Sequence, residues 1–196
     1  MKKLLTVICL VLVAASFAQA QDVSFGARGG LNFANISETV SGGGASSYSM
    51  RTSFLLGGYA TIMFNDKMGL QPELFYNSVG AKETISGTDV TYKLNYISLP
   101  ILFRYNFNEQ WHLLAGPQLG ILASAKASAG GSSVDIKSSI NSSDFGFTLG
   151  VGADFDKINV GARYCAGLSN FNKNSGVTDK NNVIQLVVGY RIKGGK

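Results

Sequence analysis

Charge is scarce in this 196-residue chain: Asp, Glu, Lys and Arg together make up 15%, against roughly a quarter in an average soluble domain. Aromatics are present at 11% and hydrophobic residues at 45%, so an intrinsically disordered chain is excluded. After the N-terminal segment no apolar run reaches the roughly 18 residues a membrane-spanning helix needs. One histidine and two cysteines leave no set of Cys and His ligands for a metal. Proline occurs only 3 times, whereas glycine occurs 24 times. A glycine-rich, aromatic-rich chain without long apolar runs points to β structure.

The first twenty residues have the form of an export signal. Lys2 and Lys3 precede an apolar core from Leu4 to Phe17, and Ala18-Gln19-Ala20 is a small-x-small cleavage site. Cleavage there predicts a signal peptide over 1–20, a mature N-terminus at Gln21 and one domain over 21–196. It removes two lysines and no acid, so the formal charge falls from +5 to +3, too little and too scattered for a nucleic-acid partner. Cys9 goes with the signal, which leaves Cys165 alone and excludes an intrachain disulfide.

Along the mature chain the dominant signal is alternation, the period of a half-buried strand. Val23, Phe25, Ala27, Leu31 and Phe33 alternate with Ser24, Gly26, Arg28, Gly30 and Asn32. Stretches beginning at Phe54, Leu70, Trp111, Phe145, Ile158 and Ile184 repeat the pattern. In Thr91 to Phe107 the apolar face changes phase after Tyr96, which predicts a β-bulge there. Asn65-Asp66-Lys67, Asn108-Glu109-Gln110 and Asp156-Lys157 read as tight turns. Longer Gly/Ser/Asn-rich connections fall at 34–50, 79–90, 124–143 and 169–182. Long and short connections therefore alternate, the layout of an outer-membrane barrel with short periplasmic turns and long external loops. The expected fold is all-β: a closed, antiparallel, up-and-down transmembrane β-barrel of about eight strands, both termini periplasmic.

A soluble barrel closes the same number of strands with the opposite face wet. Here the glycine-rich polar face carries Arg28, Glu73, Arg104, Asp144, Asp154, Arg163 and Arg191. Such a face suits a narrow lumen filled by side chains, either as a closed charge network or as the selectivity lining of a wet channel. The other face is rich in Leu, Ile, Val and Phe, as lipid contact requires. Phe64, Tyr105, Phe107, Trp111, Phe155 and Tyr190 fall near the short-turn ends of strands, and Phe33, Tyr76, Tyr92 and Phe145 near the long-loop ends. Two such bands match the aromatic girdles at the two membrane interfaces.

Leu94-Asn95-Tyr96-Ile97-Ser98-Leu99-Pro100-Ile101-Leu102-Phe103-Arg104-Tyr105 resembles the "Y-(L/I)-x-(I/L)-P-(L/I)-L-(L/F)-(K/R)-Y" strand of the PorT-like outer-membrane β-barrel family common in Bacteroidetes. Gly26-Ala27-Arg28-Gly29-Gly30-Leu31-Asn32 is similar to its early "G-x-(K/R)-x-G-x-N" strand. Gly69 to Tyr76 approximates "G-x-x-P-E-L-x-Y", and Gly116-Pro117-Gln118-Leu119-Gly120 looks like "G-P-x-x-G". The motifs follow in the family's order over nearly the whole mature chain. The resemblance implies the fold and an outer-membrane address, and a better-known relative acts in protein secretion. The chain departs from barrels that finish on an aromatic residue read by the insertion machinery. Tyr190-Arg191-Ile192 is followed by a basic tail, Lys193 to Lys196, so either Tyr190 serves as that signal or the tail is foreign to it.

Catalysis has little support, since a Ser-His-Asp arrangement would have to use His112, beside Trp111 at the short-turn end of a strand. No cofactor is implied. The expectation is a non-enzymatic outer-membrane protein, its barrel an anchor in lipid and its four loops available to an envelope protein or a surface polymer. A narrow solute channel and an accessory of secretion are the alternatives.

Overall fold

A computed structural model describes residues 22–40, 48–85, 87–173 and 176–193. The signal segment 1–20 with its cleavage site, loop residues 41–47 and tail residues 194–196 lie outside the described residues. The described chain forms nine strands: β1 (Asp22–Val40), β2 (Ser49–Met63), β3 (Met68–Ile85), β4 (Thr88–Asn106), β5 (Trp111–Ala129), β6 (Ser132–Asp135), β7 (Ser143–Phe155), β8 (Ile158–Gly167) and β9 (Val177–Lys193). Each long strand pairs antiparallel with its neighbour in the chain. β9 closes on β1, and β4–β5 completes a ring of eight, with β6 a short flap on the outer end of β5. Closure pairs every strand edge, the condition for crossing lipid without exposed backbone. No described helix is long and apolar enough to cross a membrane.

The tight turns form because asparagine side chains complete them. Asn65 Oδ1 accepts from the Lys67 and Met68 amides at 2.9 and 2.8 Å, and Asn108 Oδ1 from those of Gln110 and Trp111 at 2.9 and 2.7 Å. The third turn places Asp156 at φ 52°, a left-handed conformation that Asp tolerates.

Between the turns and the far end, outward side chains are apolar and exposed, among them Leu31, Leu56, Leu74, Ile101, Leu149 and Leu186. Beyond that band the strands continue and their polarity inverts. On β1 the outward Phe25, Leu31 and Phe33 give way to Asn35, Ser37 and Thr39, while the inward Arg28 and Asn32 give way to the buried Ala34 and Ile36. The cause is the medium: once water replaces lipid outside, apolar side chains gain by turning in.

This inversion corrects two expectations. β4 has no bulge: Tyr92, Leu94, Tyr96, Ser98 and Arg104 all face inward, and Lys93, Asn95, Ile97 and Leu99 all face outward. The sequence shows a phase change because the face that is apolar changes, not because the strand slips. A register shift does fall beside Tyr96, but its extra residue is Ala123 on β5, between the pairs Asn95↔Ser124 and Tyr96↔Leu122. Among the described residues the connections 34–50 and 79–90 are also largely strand, and strand extends into 124–143 and 169–182 over 124–129, 132–135 and 177–182. β3 and β4 pair as far as Ile85↔Thr88, and β1 and β9 as far as Val40↔Val177. Their Ser, Thr and Gly residues alternate with Ile36, Val79 and Ala81, which supply an interior.

Candidate functional site

The lumen is filled in layers. At its lower centre Glu73 is 2% exposed and sits between two arginines: Arg28 Nη1 donates to Oε1 at 2.5 Å and Arg163 Nη1 to Oε2 at 2.6 Å. The three strands that carry them, β3, β1 and β8, bring residues 45 and 90 positions apart onto one carboxylate. Polar neighbours extend the network. Gln71 Nε2 donates to Glu73 at 2.7 Å, Arg28 Nη2 to Asn159 Oδ1 at 2.7 Å, and Arg163 Nε to Gln185 Oε1 at 2.8 Å. Arg28 also stacks on the Tyr59 ring, 4.3 Å from its centroid. Buried charges persist when paired and hydrogen-bonded in this way.

Nearer the short turns, Arg104 pairs with Asp154, and His112 Nδ1 lies 3.2 Å from Asp154 Oδ2. The other edge of the imidazole abuts β7: a Cβ on Gly152 would collide with His112 Nε2. A cavity of about 120 Å³ lies below, lined in part by Arg104, Asp154, Glu109 and Arg191. Above the Glu73 network come a small apolar layer of Leu55, Phe75 and Val187 and an amide layer. In the latter Asn32 Nδ2 donates to Asn77 Oδ1 and Gln185 Nε2 to Asn32 Oδ1, both at 2.8 Å.

The top of the lumen is apolar. Ile36, Val79, Leu94, Leu122, Val183 and neighbours form one buried cluster, covered by Phe171 and Ile140 from the β8–β9 and β6–β7 connections. Phe171 is held in place by its backbone: its amide donates to Asp179 O at 3.0 Å, and its carbonyl accepts from Asn141 N at 2.7 Å.

Of the seven charged residues on the polar face, Arg28, Glu73 and Arg163 form the central cluster. Arg104 and Asp154 form a second, joined to it through Gln71, whose Oε1 accepts from Arg104 Nη1 at 3.3 Å. Asp144 and Arg191 are not in this network. Asp144 lies higher, accepting from Asn181 Nδ2 and Ser169 Oγ, each at 2.8 Å. Arg191 sits at the lower rim and donates to Asp156 O at 2.6 Å. Alternation assigns a face but not a height, which is why seven residues on one face separate into layers. Phe107, Trp111, Phe155 and Tyr190 stand exposed on the outer face at the short-turn end, with Phe64 and Tyr105 partly covered beside them. The sequence reading passed over the neutral partners Gln71, Asn159, Gln185, Asn32 and Asn77. The signal was present, since each falls on the polar face of its strand.

Cys165 is buried, its thiol donating to Gln185 Oε1 at 3.4 Å. Among the described residues no group of three His, Cys, Asp or Glu side chains is placed to hold a metal.

Inside the mouth at the long-loop end, Tyr48 OH donates to Glu38 Oε2 at 3.1 Å and Tyr92 OH to Glu83 Oε2 at 3.3 Å. Asp179, opposite Glu38 on the β1–β9 ladder, accepts from Asn172 Nδ2 at 2.8 Å. Burial raises the Asp179 carboxyl above its ordinary range; the Asn172 hydrogen bond opposes this, and Glu38 adds to it. A raised value in the folded state means stability that is complete in acid and lost as pH rises through that value. At neutral pH, Asp179→Asn should therefore slow amide exchange over 177–183, by the few tenths of a kcal/mol typical of relieving a like-charge pair. At acid pH the variant and the parent should exchange alike. Faster exchange in the variant at neutral pH would refute the assignment.

No curated protein matches the chain. Among solved structures, Neisserial surface protein A has a TM-score of 0.55 at 15% identity, covering 87% of this chain and 99% of that one. Ail, the attachment invasion locus protein of Yersinia pestis, in complex with the heparin analogue sucrose octasulfate, has a TM-score of 0.51 at 19% identity, covering 87% and 99%. At these identities the likeness is one of fold. The model of the outer membrane protein beta-barrel domain matches residues 17–173, and the chain belongs to that family of outer-membrane β-barrels.

Proposed function

We propose that the protein is a non-enzymatic outer-membrane anchor that holds a rigid external platform for contact with an envelope protein or a surface polymer. The observation that carries this reading is the continuation of the barrel above its lipid band with an inverted, packed interior. From Gly80↔Lys93 to Ile85↔Thr88 the β3–β4 ladder alone adds six residue pairs, or about 20 Å of strand at roughly 3.4 Å per residue. A surface held by a core costs a partner less ordering entropy than free loops would. The packing of the His112 imidazole against β7 supports the non-enzymatic part, since it leaves no space for a substrate at that nitrogen. The motifs shared with PorT-like barrels support a place among the Bacteroidetes members of the family. Tyr190 is the candidate signal for barrel insertion.

The same proposal has both termini in the periplasm and a signal peptide cleaved before Gln21. Whole cells treated with a membrane-impermeant maleimide should label Val134→Cys, on the exposed β6 flap, and leave Lys193→Cys unlabelled. The reverse pattern would invert the topology. In planar bilayers the wild-type protein should be silent, because packed layers fill its lumen from the Glu73 network to the apolar top. Stepwise conductance would favour the channel reading, and loss of a secreted protein on gene deletion the accessory one.

A further inference from the structure

On the outer face, just above the apolar band, Lys93 of β4 stands directly opposite Lys126 of β5. Both point outward, since Leu94 at 1% and Ala125 at 0% exposure turn in beside them. Like charges in directly opposed positions, with Cβ atoms about 5 Å apart, destabilise a sheet unless an anion lies between them. Lys82 is the diagonal neighbour of Lys93, one step further out on β3. Lys137 Nζ donates to Ala123 O at 2.9 Å, at the bulge below Lys126, so a fourth ammonium comes to the same patch. Among the described residues none of these four lysines is in an ion pair. The acids on this part of the outer face are Asp89, hydrogen-bonded to Thr84 near the hairpin tip, and Asp135, opposite Lys126.

The remaining carboxylates of the external section, Glu38, Glu83, Asp144 and Asp179, are turned inward and hydrogen-bonded there. At the other end of the barrel Lys67, Lys157, Arg191 and Lys193 are balanced by Asp22, Asp66, Glu109 and Asp156. The outward-facing charge of this patch is therefore positive, four lysines against two carboxylates, where the outer surface passes from lipid to water.

We infer that Lys93 and Lys126, flanked by Lys82 and Lys137, form a site for the phosphate groups of an outer-leaflet lipid headgroup, with Ile97 and Ile121 below it against the acyl chains. The site rests on the outer-membrane placement of the barrel and on the proposed topology with its long-loop end outward, and does not depend on the platform reading. The headgroup phosphates add counter-charge to a lysine pair that has one carboxylate beside it, Asp135 across from Lys126, and they lie at the height where ammonium groups leave the apolar band. A lysine near an anionic lipid surface contributes about a fivefold change in affinity, so removing the pair should cost roughly 30-fold.

The test uses the folded barrel in phosphatidylcholine nanodiscs with and without diphosphoryl lipid A, counting retained lipid A by native mass spectrometry. Wild type should retain it, Lys93→Gln/Lys126→Gln should bind about 30-fold more weakly, and Lys67→Gln/Lys157→Gln should match wild type. Thermal stability gives an independent readout with opposite signs. In phosphatidylcholine alone Lys93→Gln should stabilise, by removing repulsion, and in lipid A it should destabilise. Equal retention by the lysine-pair variant, or equal retention of dephosphorylated lipid A, would overturn the site. So would a loss of stability in both lipids, which would make the lysines structural. Stabilisation by inorganic phosphate to the same extent as by lipid A would reduce it to a simple anion site and also defeat the proposal.

Discussion

Glu73→Gln should lower the unfolding free energy of the barrel by about 3–5 kcal/mol, the cost of removing one partner from a buried ion pair. Glutamine keeps the shape and can still accept a hydrogen bond, but it leaves the Arg28 and Arg163 guanidiniums facing each other in the lumen without a counter-charge. Trp111, the single tryptophan, stands exposed at the short-turn end of β5 and reports unfolding in a urea titration in detergent. The same cluster replaced as a unit, Arg28→Met/Glu73→Leu/Arg163→Met, should be close to neutral, since all three desolvation costs disappear together. If the single variant unfolds at the wild-type urea concentration, the lumen is wet enough to screen the arginines. The closed network would then be wrong.

Phe171→Ala should open the cap at the long-loop end and leave the barrel intact. Phe171 is 2% exposed and covers the apolar cluster at the top of the lumen. Truncation of a buried phenylalanine costs about 3–5 kcal/mol, here in a segment otherwise held by hydrogen bonds rather than apolar packing. Trypsin should then cut proteoliposomes at Lys173, which is exposed and beside the cap, at a rate well above wild type. The difference in migration between unheated and boiled samples should remain, because the Glu73 network and the Leu55–Phe75–Val187 layer lie below the cap and share no residue with it. Unchanged resistance at Lys173 would show that the backbone hydrogen bonds of Phe171, and not its ring, hold the cap.

The two layers these variants probe differ in how far the sequence reveals them. Arg28, Glu73 and Arg163 are readable as inward residues from alternation alone. Their meeting on one carboxylate is not, because it depends on the heights at which β1, β3 and β8 place them, and ring closure sets those heights. Asp144 and Arg191 share the face and miss the network for that reason. The apolar cap was hidden more deeply. Ile36, Val79 and Phe171 stand in stretches rich in Ser, Thr, Gly and Asn, a composition that reads as loop.

Alternation, acting on its own, determined the eight ring strands and most of the lipid-facing set, since a two-residue period assigns each side chain to a face whatever its partner. Tyr92, read with the aromatics of the long-loop end, turns inward instead, against the apolar cluster. Asparagine chemistry likewise settled the short turns locally. The tertiary structure decided where each strand leaves the membrane, and with it which face is apolar. At Tyr96 of β4 the pattern changes sign with no slip in the strand, because the solvent outside changes from lipid to water. A local sequence signal records a change of polarity but not its cause. Only the closed ring, with Leu94 and Tyr96 packed inside and Lys93 outside, distinguishes a change of medium from a bulge.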